Sequence, residues 1–244
     1  METETTQSNQ PKKASISTGA AIVTAAVIIG LALIIGQGPK NNTNTDTTGA
    51  TPGAITSVPA DVATIRPNDR VRGNSVTAEV AIIEYSDSDC PFCVRFHNTM
   101  QQVLTEYDGK VAWVYRYFPL TSLHPNAVTE AVAMECVADL AGNDAFNKYL
   151  DQVINVTLSP DPKSNEALTT FATGLGVDSK LFKDCIAGSR ASDRVKADTA
   201  EAGKIGAQGT PFSIIVHLKT GKQIIVPGAY PIEDIRTHID SLLK

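Results

Sequence analysis

A chain of 244 residues, 42% hydrophobic and 19% charged, is long enough for one sizeable globular domain plus additional segments. Its net charge of −5 argues against nucleic acid as the main partner, because phosphate binding needs a basic face. Four cysteines are too few for a disulfide-dense miniprotein, but the even count suits an oxidising compartment.

From Ala14 to Pro39 no side chain is charged, and the centre reads AAIVTAAVIIGLALIIG. About twenty apolar residues cover a hydrocarbon core of roughly 30 Å. A cleaved signal peptide would have an apolar region of about 7–15 residues ending in a small-residue cleavage site. No good site follows Ile35. Lys12 and Lys13 precede the run and Lys40 follows it, a thin positive-inside bias. The reading is a cytoplasmic tail over 1–13, an uncleaved single-pass anchor over 14–37, and the remainder outside. The stretch 38–64 is Asn, Thr, Gly and Pro with few large apolar groups, which predicts a flexible linker, so the folded domain is expected from Ile65.

Within that domain, Val and Ile at 79–86 predict a buried strand. Pro91 suits a first helical turn, where a missing N–H costs nothing. A helix is expected from there to Tyr107, with Val94, Phe96, Met100, Val103 and Leu104 as its apolar positions. A second strand follows over 111–118. From about 124 to 204 the pattern is helical and alanine-rich, broken into three or four helices by TLSPDPKS and GLGVDSK. Strands return over 211–218 and 222–228, joined by a tight hairpin at Thr220 and Gly221. The last helix starts near Pro231, with Ile232, Ile235, Ile239 and Leu242 on one face. The order β-α-β, helical block, β-β-α describes one α/β domain with a helical insertion.

The pair Cys90 and Cys93, in DSDCPFC, falls at the first strand-to-helix junction. A zinc site needs four ligands, and neither Cys136, Cys185 nor any of His97, His124, His217 and His238 has ligand spacing to this pair. Haem attachment would need a histidine where Val94 stands. A purely structural bridge over two residues would constrain the unfolded chain little. A reactive dithiol has a positive physical reason: unpaired N–H groups and the helix dipole at a helix start favour a thiolate at Cys90. Cys93, one turn further in, is then the buried partner. Neither metal nor cofactor is expected.

The stretch IRPNDRVRGNSVTAEVAIIEYSDSDCPFC resembles the opening of the DsbA-like, thioredoxin-fold disulfide oxidoreductases. FPLTSLHPNA and GAQGTPFSIIV resemble later landmarks of that family, and the match runs from Ile65 to the C-terminus. The resemblance implies a thioredoxin fold with a helical insertion and an oxidoreductase acting on secreted or surface proteins through Cys90 and Cys93, tethered here by the apolar run over 14–37. It implies a cis peptide bond before Pro211, with Thr210 and Pro211 facing the CPFC motif and pairing with an extended substrate. Pro91 and Phe92, the residues between the cysteines, touch the substrate and tune redox poise. Phe92 stands where the best-known oxidase has histidine, which leaves oxidising strength open. Glu84 falls where the family keeps a buried acid that relays protons to the inner cysteine. Relatives bridge cysteines at positions like Cys136 and Cys185. The expected partners are cysteine-containing secreted proteins and a membrane reoxidation partner of the DsbB or VKOR kind.

Two alternatives stay open on the sequence: a reductase or isomerase, which differs in potential and oligomeric state, and a tethered binding or chaperone module without redox activity. His124, Trp113, Tyr115 and Tyr117 read as structural.

Overall fold

The computed structural model describes residues 55–157 and 163–244. Its centre is a five-stranded sheet in the order β1-β3-β2-β4-β5, made of β1 (Arg70–Gly73), β2 (Val80–Ser86), β3 (Val111–Tyr117), β4 (Phe212–His217) and β5 (Gln223–Val226). β2 and β3 run parallel, joined by helix α1 (Pro91–Glu106), and the remaining pairs are antiparallel. All seven residues of β2 are buried, as a central strand covered on both faces requires.

Alternate residues of β2 serve two separate cores. Val80 and Ile82 face α1 and the closing helix α6 (Ile232–Leu242), packing with Phe96, Met100, Ile235 and Ile239. Ala81, Ile83 and Tyr85 face the other way, onto Ile205 and Ala202 at the end of helix α5 (Arg190–Lys204). The block between β3 and β4 comprises α2 (Ala127–Val156), α3 (Asn165–Gly174), α4 (Ser179–Ala187) and α5. Gly142, at φ +83°, interrupts α2, so α2 is two helices end to end. Cys136 and Cys185 join α2 to α4 through a disulfide with S–S 2.04 Å.

Two features differ from the sequence expectation. The linker expected over 38–64 does not extend to 64. Val58, Val62 and Ala63 are buried against the second face of the sheet, and Ile55 packs beside them. The physical reason lies in Arg116, a fully buried residue of β3. Its guanidinium donates to the Val62 and Thr64 carbonyls at 2.8 and 2.9 Å and pairs with Asp69 at 2.9 Å. A buried guanidinium must fill its donors, and main-chain carbonyls of the incoming segment do so. The second difference is β1, which the sequence reading does not contain. Its arginines reach the acids of α2: Arg70 pairs with Glu135, and Arg72 with Asp151 at 2.8 Å.

The expected anchor over 14–37 lies outside the described residues, as do the tail and the first part of the linker. Among the described residues no helix is long and apolar enough to cross a membrane.

Candidate active site

β2 ends at Ser86, and the chain turns through Asp87, Ser88 and Asp89 into α1. The side chain of Asp87, buried, accepts the Asp89 N–H at 2.8 Å and the Leu120 N–H at 2.7 Å. It also bonds His124 Nδ1 at 2.8 Å, and its carbonyl accepts the Cys90 N–H at 3.1 Å. One carboxylate thus fixes the loop entering the CPFC motif against the loop leaving β3. Cys90 is the N-cap of α1, in extended conformation with no side-chain capping bond, and Pro91 opens the helix. The sulfur therefore stands where α1 presents its unpaired N–H groups.

Cys90 and Cys93 are both free thiols, 4% and 1% exposed. Their acidities diverge. The Cys90 pKa is lowered to about 5, chiefly by the hydrogen bond from the Cys93 thiol, against partial desolvation. The Thr210 side chain and the backbone N–H groups of Cys93 and Phe92 add to the lowering. Burial drives Cys93 well upward, and its donation to Cys90 and the nearby Glu84 charge push the same way. One sulfur is thereby a thiolate at neutral pH and the other a thiol.

The peptide bond between Thr210 and Pro211 is cis, and the Thr210 carbonyl lies 3.5 Å from Cys90 Sγ. Pro91 and Phe92 are exposed, with the Arg95 guanidinium over the Phe92 ring at 4.6 Å. Glu84 sits on β2 beneath the motif, 1% exposed. Its carboxylate accepts the Trp113 indole N–H at 2.8 Å. Burial raises its pKa to about 7, although the Ser86 and Trp113 hydrogen bonds oppose the rise, and the Cys90 charge adds to it.

The structure thus brings Cys90, Cys93, Glu84, Thr210 and Pro211 into one site, with Pro91 and Phe92 at its surface. Cys136 and Cys185 lie away from it, bonded to each other in the helical block.

Sequence reasoning missed the residues that hold the loop. Trp113 and His124, read as structural, make direct bonds to Glu84 and Asp87. Ser88 donates to Glu130 of α2 at 2.6 Å, and Lys163 bridges Glu130 at 2.6 Å and Asp89 at 2.7 Å. The Glu130 pKa rises to about 7 through burial, opposed by Lys163 and Ser88. The one available signal was the pair of acids, Asp87 and Asp89, set just before the motif.

A dithiol of unequal acidity at a helix start, faced by a cis-proline loop, defines a thioredoxin-fold redox site. A family model described as "Thioredoxin" matches residues 66–239, and the chain belongs to that family. Na(+)/H(+) antiporter NhaA 3 of Salinispora tropica is 31% identical over 143 residues, 59% of this chain and 21% of that protein. NhaA 1 of a Mycobacterium species (strain KMS) is 26% identical over 159 residues, 63% of this chain and 25% of that protein. The match therefore spans only a fifth to a quarter of these relatives' length. A Rickettsia felis protein named as a protein-disulfide oxidoreductase is 27% identical over 183 residues, 72% of this chain and 61% of that one.

Among solved structures, Wolbachia pipientis alpha-DsbA1 is similar with a TM-score of 0.63 and 22% identity, covering 75% of this chain and 94% of its own. Pseudomonas aeruginosa DsbA2 is similar with a TM-score of 0.61 and 22% identity, covering 73% and 97%. At such identity the likeness is one of fold, and it is the DsbA-like form of the thioredoxin fold with its helical insertion.

Proposed function

We propose that this chain is an extracytoplasmic thiol-disulfide oxidoreductase that introduces disulfides into cysteine-containing secreted or surface proteins. The observation that carries the reading is the divergence of the two thiols, with Cys90 lowered to about 5 and Cys93 raised. A stabilised Cys90 thiolate favours the reduced pair, so the Cys90–Cys93 disulfide readily passes its oxidation to another dithiol.

In the oxidised protein a substrate thiolate attacks Cys90 Sγ, the Cys90–Cys93 bond breaks, and Cys93 leaves and takes up a proton. Glu84, beneath the motif with its pKa near neutrality, is the proposed donor of that proton. The second substrate thiolate then attacks the substrate sulfur of the mixed disulfide, and Cys90 departs as a thiolate. The substrate loses two electrons and the pair gains them. Of the two substrate protons, one ends on Cys93 and one in solvent. Reoxidation needs a two-electron acceptor, for which a membrane partner of the DsbB or VKOR kind is the proposal. The extracytoplasmic assignment is supported by the uncharged apolar run over 14–37 and by the Cys136–Cys185 disulfide, a bond that persists in oxidising compartments.

The test is equilibration of the Cys90–Cys93 pair against glutathione, together with turnover of a dithiol peptide. A potential well above that of a thioredoxin, about −270 mV, is expected. A value at or below it would make the protein a reductase.

A further inference from the structure

The incoming segment does more than cover the sheet. β5 is an edge strand, and Gln223, its first residue, holds that segment with both ends of its amide. The Gln223 Oε1 accepts the Val58 N–H at 2.8 Å, and the Gln223 Nε2 donates to the Val58 carbonyl at 3.0 Å. Three residues upstream, Ile55 lies on the backbone of Gly206. A Cβ at Gly206 would stand 2.8 Å from Ile55 Cδ1, and Gly206 also has φ +81°, a backbone conformation that favours glycine here. Gly206 belongs to the connection that leads into Thr210 and Pro211.

Between this arm and the sheet opens a cleft of about 610 Å³. Its apolar walls come from Ile55, Phe212, Ile225, Pro227 and Tyr230, and Thr210 and Pro211 form another part of its lining. The Thr210 carbonyl is also the group 3.5 Å from Cys90 Sγ, so the cleft and the reactive sulfur share the cis-proline loop. No charged side chain lines it.

We infer that the arm is a wall of the substrate site, and that Ile55 is a specificity-determining residue. It selects an uncharged apolar side chain next to the cysteine of an extended substrate polypeptide. The inference rests on the proposed oxidoreductase reading. A charged side chain entering this cleft would lose water without finding an opposite charge, whereas an apolar one gains contact with Ile55 and Tyr230. Gln223 is the positioning residue, because it fixes the arm at the height of the cleft.

The experiment uses the full chain, oxidised, with two dithiol peptides that differ only in carrying Leu or Asp beside the first cysteine. The readout is the ratio of their oxidation rates. The wild type is expected to favour the Leu peptide about tenfold, within the range that apolar pockets achieve. In Ile55→Lys the ratio should invert in favour of Asp. In Gln223→Ala it should fall at least threefold with no new charge in the cleft. An unchanged ratio in both variants, with a wild type that oxidises both peptides, overturns the inference and leaves the redox reading intact. A wild type that exchanges with neither peptide nor oxidised glutathione overturns the redox reading itself, and this inference with it.

Discussion

The indole N–H of Trp113 donates to a Glu84 carboxylate oxygen at 2.8 Å, beneath the pair of thiols. The donor carries no charge, so it only partly offsets the burial of the carboxylate, and the Glu84 pKa stays raised at about 7. Removing it with Trp113→Phe should push the carboxyl further up, by about one to two pH units for a hydrogen bond to a charged group worth about 1.5–3 kcal/mol. A carboxyl titration followed by infrared difference spectroscopy reads the shift directly. A midpoint that stays near 7 in the variant would remove Trp113 from the site's electrostatics.

The raised acid also makes stability depend on pH. The folded Glu84 holds its proton up to about 7, whereas in the unfolded chain it loses it near the ordinary glutamate value of 4.5. Its contribution is therefore full below pH about 4.5, falls between there and about 7, and is gone above. Over that window the loss should be about 3 kcal/mol. Glu84→Gln should flatten that part of the decline in urea-measured stability. Glu130, also raised to about 7, will leave a residual slope in the same window. If the Gln variant declines as steeply as the wild type, Glu84 is not a buried titrating group.

For Cys90, the Cys93 thiol is the largest cause of the lowered pKa. Titrating the thiolate absorbance of the reduced protein should give a midpoint near 5. Cys93→Ala should raise it, and Cys93→Ser, which keeps a donor, should raise it less. Equal midpoints for Cys93→Ala and the wild type would assign the acidity to the helix start alone.

Lys163 is 5% exposed in its side chain and bonded to both Glu130 and Asp89. Lys163→Met would leave Glu130 buried without its cation, at a cost of about 3–5 kcal/mol. The double variant with Glu130→Gln should recover part of it. A loss below about 1 kcal/mol in the single variant would show that water replaces the ammonium group.

The Cys136–Cys185 bond spans 49 residues, and on the chain-entropy model it constrains the unfolded state by about 4 kcal/mol. Replacing both cysteines by Ala should lower the unfolding free energy by about that amount. The Cys90 titration should be unmoved. A coupled shift in that titration would tie the bridge to the active-site loop.

What the sequence made legible was what short-range pattern encodes. The strands at β2, β3 and β4 are runs of β-branched and aromatic residues, α1 announces itself with Pro91 and a spaced apolar face, and CPFC marks the junction between them. Glu84 is legible in the same way, as an acid within the apolar run VAIIEYS. The rest depends on partners distant in the chain. Arg116 looks like an exposed cation in an alternating strand until Asp69 and the Val62 and Thr64 carbonyls close around it. β1 is four residues long and charged, and exists because α2 supplies acids for it. Gly142 breaks α2 between stretches that both look helical, with no loop composition to mark it. Lys163 follows a Pro-rich stretch and gives no sign of meeting Ser88 and Asp89.

The Arg116 clamp sets a path for mechanical load. Any pull on the chain from upstream of residue 55 meets the Ile55 contact with Gly206 first, then Gln223 on the edge strand, and then Arg116 on β3, which lies between β1 and β2. These contacts are made by β5, β3 and the connection before β4, and none of them by α1. Tension from the N-terminal side would load the arm's contacts with Gly206 and Gln223, beside the cleft at Thr210, before it reached the paired thiols.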